Sequence, residues 1–482
     1  MTAWTRRRLL TSAALAVPAT GLATSAATAL PATGLATSAA TALPATGLVT
    51  AAAPPARAAA ATARNGDADV ADALRALPGL RLIEERQDAE PGYRHFVLGL
   101  RQPVDHTDPA AGTFEQRLTL LHTAADRPTV LFSTGYHAVL TPRRTEPAVL
   151  LGANQLQVEH RYFGASRPAG PGYAHLTIRQ AADDHHRVVR LFRRLYPGAW
   201  ISTGGSKGGM ASVYHRRFHP HDVNGTLVYS APNNVDDRDD SAYLRFLETV
   251  GTPDAREALK TAQRAILLRR TELVARYEAW AAARGDTFRL VGSADKALEV
   301  AALRVPFMFW QRGTPADVAA IPGPGATDEE LYTWLDDTAG LALYADTTAR
   351  NYIPYWYQIG TQLGYGSFPA AHLADLLRHP GAAEPRSFVP RDVPLRFDRA
   401  AMPDIDRWVR RRGSRLLFVH GTQDPSVAEH FRPGGPDSRI LWVRGGNHGA
   451  GLADLSPADR TAAEDTLVRW AGQEYFTHTL GT

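Results

Sequence analysis

The chain of 482 residues contains no cysteine. This excludes a disulfide scaffold, Cys-ligated zinc, iron–sulfur clusters and a thiolate nucleophile, so covalent catalysis has to use another side chain. An excess of one charge is also missing, with 53 Lys+Arg against 49 Asp+Glu. A net charge of +4 without extended basic blocks gives no grip on nucleic acid and demands no acidic partner. Long apolar runs are lacking as well. The apolar stretch at residues 9–17 ends before Pro18 and Gly21, short of the roughly 20 residues that span a bilayer. No stable membrane association is expected.

What is present begins with an export signal. Arg6, Arg7 and Arg8 precede that short apolar stretch, the order of a secretory n-region and h-region, and the same arginines fit a twin-arginine signal. The segment PATGLATSAATAL then occurs twice from Pro18 and starts a third time at Pro44. It is too poor in large apolar residues to stack as a solenoid and reads as duplicated signal sequence. Residues 1–58 are therefore expected to be signal, the mature chain to start between Ala51 and Asn65, and the protein to be extracellular. At this length an exported domain needs no disulfide staples, because it buries roughly 75% of its unfolded surface.

Short apolar runs recur at residues 129–132, 155–158, 200–203, 226–229, 415–419 and 439–443. Runs of this length separated by helical stretches predict βαβ units and a mainly parallel sheet. One intervening helix is predicted over 177–196, capped by Thr177, with Val188, Leu191, Phe192 and Leu195 at helical spacing. Between about 233 and 396 the strand pattern gives way to amphipathic segments (256–284, 326–343) and clustered aromatics. The expected organisation is an α/β core in two parts, 64–232 and 397–482, with a mostly helical cap inserted at 233–396.

Gly204-Gly205-Ser206-Lys207-Gly208 matches G-x-S-x-G, a weak pattern by itself. Its context strengthens it: an apolar strand precedes the serine and a helical segment follows, the setting of a nucleophile elbow. A phosphate loop is disfavoured, since neither G-x-x-x-x-G-K-[ST] nor G-x-G-x-x-G is present there. A serine hydroxyl needs a base, and the base needs an orienting acid. In serine–acid–histidine order, the strand at 415–419 leads to Asp424 and the strand at 439–443 leads to His448. The proposed triad is Ser206, Asp424 and His448, with His420 and His430 read as structural. Oxyanion donors are expected from the backbone N–H of Lys207 and of Tyr136, in the loop after residues 129–132. Asp183, Asp184, His185 and His186 read as one solvated helix face, and neither metal nor cofactor is expected.

Longer stretches carry a resemblance. Gln102-Pro103-Val104-Asp105-His106, Gly112-Thr113-Phe114-Glu115-Gln116-Arg117, Glu159-His160-Arg161-Tyr162-Phe163-Gly164, Gly204 to Met210, Gly364-Tyr365-Gly366 and Gly446-Asn447-His448 together resemble the secreted actinobacterial prolyl tri/tetrapeptidyl aminopeptidases. These are serine peptidases related to prolyl carboxypeptidases and dipeptidyl peptidases. The resemblance implies an α/β-hydrolase sheet flanked by helices, with a helical cap, that removes tri- or tetrapeptides after proline from a free N-terminus. Its partners would be peptides, and the protein a monomer. An exopeptidase of this kind needs an anion for the substrate ammonium. Glu159 is the first candidate, with a loop-fixing ion pair to Arg161 or Arg167 as the alternative. Related enzymes carry an acid where this chain has Gln362. A proline ring would fit an apolar aromatic slot, for which Phe309, Trp310, Tyr355 and Trp356 are candidates. The same triad would also serve a carboxylesterase or lipase, and the fold alone would allow an idle binding protein.

Overall fold

A computed structural model describes residues 69–170 and 172–472, and the expected signal segment and mature start lie outside them. The first three strands, β1 (Leu80–Arg86), β2 (Arg94–Pro103) and β3 (Thr113–His122), form an antiparallel meander. None was expected as a strand, because Arg101, Glu115 and Arg117 break the apolar pattern. An antiparallel ribbon with a partly solvated face takes such residues readily.

The expected strands follow: β4 (Thr129–Ser133), β5 (Asn154–Val158), β6 (Trp200–Gly205), β7 (Gly225–Tyr229), β8 (Leu416–Gly421) and β9 (Arg439–Val443). All nine make one sheet in the order β1-β2-β3-β5-β4-β6-β7-β8-β9. β3 joins β5 antiparallel, and every pairing from β5 to β9 is parallel. The carboxyl ends of β4, β6, β8 and β9 consequently lie along one edge, and the exchange of β4 with β5 makes β4 the direct neighbour of β6. In such sheets the loops at this edge form the binding crevice.

Helices cover both faces. The predicted first helix is α1 (Ile178–Phe192), whose N-cap Thr177 accepts a hydrogen bond from Gln180 N at 3.1 Å. Its Val188, Val189 and Phe192 pack on Leu131, Leu156 and Trp200 of the sheet. The helix after Ser206 is α2 (Lys207–Phe218).

The segment predicted as one run over 256–284 is two helices, α3 (Pro253–Leu268) and α4 (Arg270–Ala282), broken at Arg269. They continue into α5 (Ala294–Arg312), α6 (Asp328–Ala339) and the short α7 (Ile353–Gln358). Then α8 (Ala401–Arg411) leads back to β8, and α9 (Pro457–Trp470) closes the far face. There Trp470 lies so close to β7 that a Cβ on Gly225 would stand 2.0 Å from its ring. From Val70 onward the described residues form one compact unit. The architecture is that of an α/β-hydrolase carrying a mostly helical insertion between β7 and β8.

A buried ion pair ties the meander to α1. Arg161 after β5 and Asp184 on α1 are 0% and 1% exposed and meet through two hydrogen bonds, of 2.7 and 2.8 Å. Arg161 also donates to the carbonyls of Pro103, Val104 and His175, and His106 reaches Asp184 at 2.7 Å. Such a pair contributes little against an apolar isostere, but losing one partner strands a charge. Asp184→Ala is therefore expected to lower unfolding free energy by about 3–5 kcal/mol in urea titrations.

Candidate active site

Ser206 follows β6 with φ 53° and ψ −127°, a left-handed conformation that a non-glycine residue holds only under constraint. The constraint is the backbone around it. A Cβ on Gly204 would stand 2.4 Å from the Gly208 carbonyl group, and one on Gly208 would stand 2.2 Å from the Ser133 oxygen. Gly135, with φ 73°, presses equally on the first turn of α2, its hypothetical Cβ falling 2.5 Å from Gly208 N. The strand–turn–helix element and the loop after β4 are thus in direct backbone contact.

Asp424 and His448 come together at the same edge. His448 Nδ1 lies 2.8 Å from Asp424 Oδ2, and Asp424 Oδ1 accepts from Ser426 N at 2.9 Å. Asp424 is fully buried, whereas His448 keeps 22% of its side-chain surface exposed. β6 and β8 are separated only by β7, so Ser206 and Asp424 arise from strands about 10 Å apart. Among the described residues the Ser206 hydroxyl has no hydrogen-bond partner, so the serine–histidine link is not closed. Catalytic hydrogen bonds commonly tighten only once substrate is bound. The His448 loop rests on the end of α5: His448 N donates to Gln311 O at 3.1 Å, and Asn447 Nδ2 to Arg312 O and Gly313 O at 2.7 and 3.0 Å.

Of the two expected oxyanion donors, Lys207 N is the first N–H of α2 and has no partner within the helix. Tyr136 N carries one long bond, 3.2 Å, to Thr134 Oγ1. The Tyr136 ring packs against Phe163, Tyr352 and Tyr355 at centroid distances of 5.5, 6.0 and 5.6 Å.

The expected aromatic slot divides. Tyr355 reaches Tyr136 in the loop after β4, but Trp356 lies one layer back, stacked on Phe388 at 4.1 Å. Phe309 and Trp310 are core residues of α5, each 1% exposed, and Trp310 fills the space beside Gly251. Tyr352, packed on Tyr136, and Tyr365, packed on Trp356 at 5.4 Å, join this region without having been slot candidates.

Glu159 is a correction. Its carboxylate is buried and filled by protein donors: Ala138 N at 2.8 Å on Oε2, and Ala165 N, Ser166 N and Ser166 Oγ at 2.9, 3.0 and 2.8 Å on Oε1. It pairs with neither Arg161 nor Arg167, and with four protein donors and 2% exposure it is a buried loop anchor. Gln362 is likewise occupied, accepting from Ile178 N at the start of α1 at 2.9 Å. The solvated-face reading of α1 also fails, since Asp184 and His185 are buried against α2 and the sheet. His185 bridges Ala181 O and Ser133 Oγ at 2.7 and 2.9 Å, and burial pushes its imidazole down to about 4.

Sequence reasoning also missed Glu429. It lies five residues beyond Asp424, is half-buried and has no cationic partner among the described residues. Burial, with Asp239, Asp240 and Asp236 nearby, pushes its carboxyl up to about 7. Spacing from Asp424 is its only sequence signal.

A model of the family described as PS-10 peptidase S37 matches residues 63–476. The prolyl tri/tetrapeptidyl aminopeptidase of Streptomyces mobaraensis is 45% identical over 421 residues, 86% of this chain and 88% of that protein. The prolyl carboxy peptidase like protein 5 of Caenorhabditis elegans is 32% identical over 164 residues, 29% of this chain and 32% of that protein. Among solved structures, the proline iminopeptidase of Mycobacterium smegmatis aligns with a TM-score of 0.35 at 13% identity, over 77% of this chain and 98% of that one. A likeness that distant carries no further step.

Because Glu159 accepts from four donors, Glu159→Gln turns an amide N–H toward other N–H groups. The expected loss of stability is on the order of 1–3 kcal/mol, read from urea unfolding.

Proposed function

The chain belongs to the PS-10 peptidase S37 family, and from that premise we propose that it is a secreted serine exopeptidase releasing tri- or tetrapeptides after proline from free N-termini. The observation that carries the chemistry is the strained Ser206 on the strand edge that also bears His448 hydrogen-bonded to the buried Asp424. In this reading His448 Nε2 takes the Ser206 proton as Oγ attacks the carbonyl carbon of the proline. Asp424 holds Nδ1–H, which fixes the tautomer and steadies the imidazolium. The tetrahedral oxyanion is received by the N–H groups of Lys207 and Tyr136. Collapse passes the proton from His448 to the leaving amine and leaves an acyl-enzyme, which water opens by the same steps in reverse roles.

The name of the Streptomyces relative supports the proline and tripeptide preference, and the aromatic group around Tyr136 and Tyr355 supports a flat apolar slot for the ring. The ammonium requires a carboxylate that is neither paired with a cation nor already filled by several protein donors. Glu429 meets that requirement and Glu159 does not. A bound ammonium would relieve the crowding of negative charge that raises the Glu429 carboxyl. Export follows from the arginine-led signal expected at residues 1–58.

Ser206→Ala is expected to abolish both hydrolysis and fluorophosphonate labelling; retention of either defeats the nucleophile assignment. Proline-ended tripeptide anilides with a free N-terminus should be cleaved far faster than their acetylated forms or simple acyl esters. Glu429→Gln should shrink that preference at least tenfold, measured as the ratio of kcat/KM values. An unchanged ratio removes Glu429 from recognition.

A further inference from the structure

Lys207 is the one residue of the elbow whose side chain the mechanism leaves unused. It is 4% exposed, and its Nζ makes one hydrogen bond, to Gly135 O at 2.8 Å. No carboxylate among the described residues pairs with it. The rings of Phe163 and Tyr136 flank the amine at 5.1 and 5.5 Å. Burying an amine with a single acceptor is unfavourable, and an apolar side chain would fill this space more cheaply. The acceptor it reaches gives the reason for its presence.

Gly135 O and Tyr136 N–H are the two edges of one planar trans peptide unit. A donor anchored on the oxygen therefore sets the direction of the N–H. This unit needs such an anchor, because Gly135 sits at φ 73° and lacks the side chain that would otherwise restrict it. The next peptide is already held, with Tyr136 O accepting from His160 N at 3.0 Å and from Thr134 Oγ1 at 2.8 Å. On its other edge, Tyr136 N has among the described residues only its 3.2 Å bond to the uncharged Thr134 Oγ1, which a developing oxyanion would outcompete.

We propose that Lys207 is the positioning residue of the oxyanion hole, clamping the Gly135–Tyr136 peptide so that its N–H stays aimed at the oxygen of the attacked carbonyl. The proposal rests on the peptidase reading above. Residue 207 then governs both donors, one through its own backbone N–H and the other through its side chain. Burial also pushes the amine well below its ordinary value, and a neutral amine still donates to Gly135 O.

Lys207→Met keeps the length and removes the donor. For a proline-ended tripeptide anilide, kcat is expected to fall about 100-fold while KM stays within about threefold, the size of losing one oxyanion donor. A peptide aldehyde ending in prolinal, which forms a hemiacetal oxyanion on Ser206, should lose affinity by the same factor. The matching prolinol, which forms no oxyanion, should bind as before. Should Lys207→Met fail to fold, Lys207→Gln, whose shorter amide stops short of Gly135 O, is read with the same inhibitor pair. A kcat and aldehyde affinity within threefold of the unaltered enzyme overturn the clamp, and so does equal weakening of aldehyde and alcohol. Absence of anilide cleavage by the unaltered enzyme overturns the peptidase reading itself, separately from the clamp.

Discussion

The whole site depends on one steric fact: the backbone after β4 and the backbone opening α2 touch, with no room for a side chain between them. Gly204, Gly208 and Gly135 are each too close to main-chain atoms for a Cβ. This contact holds Ser206 at positive φ and brings the Gly135–Tyr136 loop beside it. Strain of this kind persists only where the surroundings over-determine it, and here the neighbouring strands β4 and β6 supply that rigidity. The chemistry at the edge is thus set by the order of the strands.

Beneath that contact lies a layer of buried polar groups, an arrangement that is unfavourable unless every group is paired. Glu159 gathers N–H groups from two loops, Arg161 and Asp184 bind the meander to α1, and His185 holds Ser133. Several of these partners, Ala138 on Glu159, Asp184 on Arg161 and Ser133 on His185, come from separate segments, so the layer is completed only once the sheet is assembled. Polar residues here select one loop geometry where an apolar core would tolerate several. That selection matters where an N–H has to point within a narrow cone.

Much of this was legible in the sequence. Six strands, α1 and α2 follow from apolar runs and glycine-flanked turns, and the strand ends bearing Ser206, Asp424 and His448 follow from the same pattern. What was not legible depends on how turns and loops fold onto one another. Glu159 looks available because neither the turn that brings Ala165 and Ser166 back onto it nor the approach of Ala138 leaves a mark on the apolar pattern. Asp184 and His185 look solvated because periodicity marks only the strongly apolar face of α1, while α2 covers the other. The division of the aromatic candidates has the same origin. Composition marks α5 and α7 as aromatic, but only packing separates the buried Phe309, Trp310 and Trp356 from Tyr355 beside the oxyanion loop.

The insertion does more than cover the sheet. The loop bearing His448 has a short strand behind it and exposed glycines on either side, Gly445 and Gly449, which leave its backbone little intrinsic order. Its fixed points come from two sides: the turn after β8, through Gly445 N to Thr422 Oγ1 and Gln423 N to Gly446 O, both 2.8 Å, and the end of α5, through Gln311 O, Arg312 O and Gly313 O. Gln311 Nε2 also donates to Ser426 Oγ at 2.9 Å, beside Asp424. One helix end in the insertion therefore helps to hold His448 and steadies the turn that carries Asp424, while Ser206 belongs to the sheet. Displacing the end of α5 would disturb the backbone around both Asp424 and His448, so this part of the insertion has to behave as core, and freedom to move is left to segments away from that helix end.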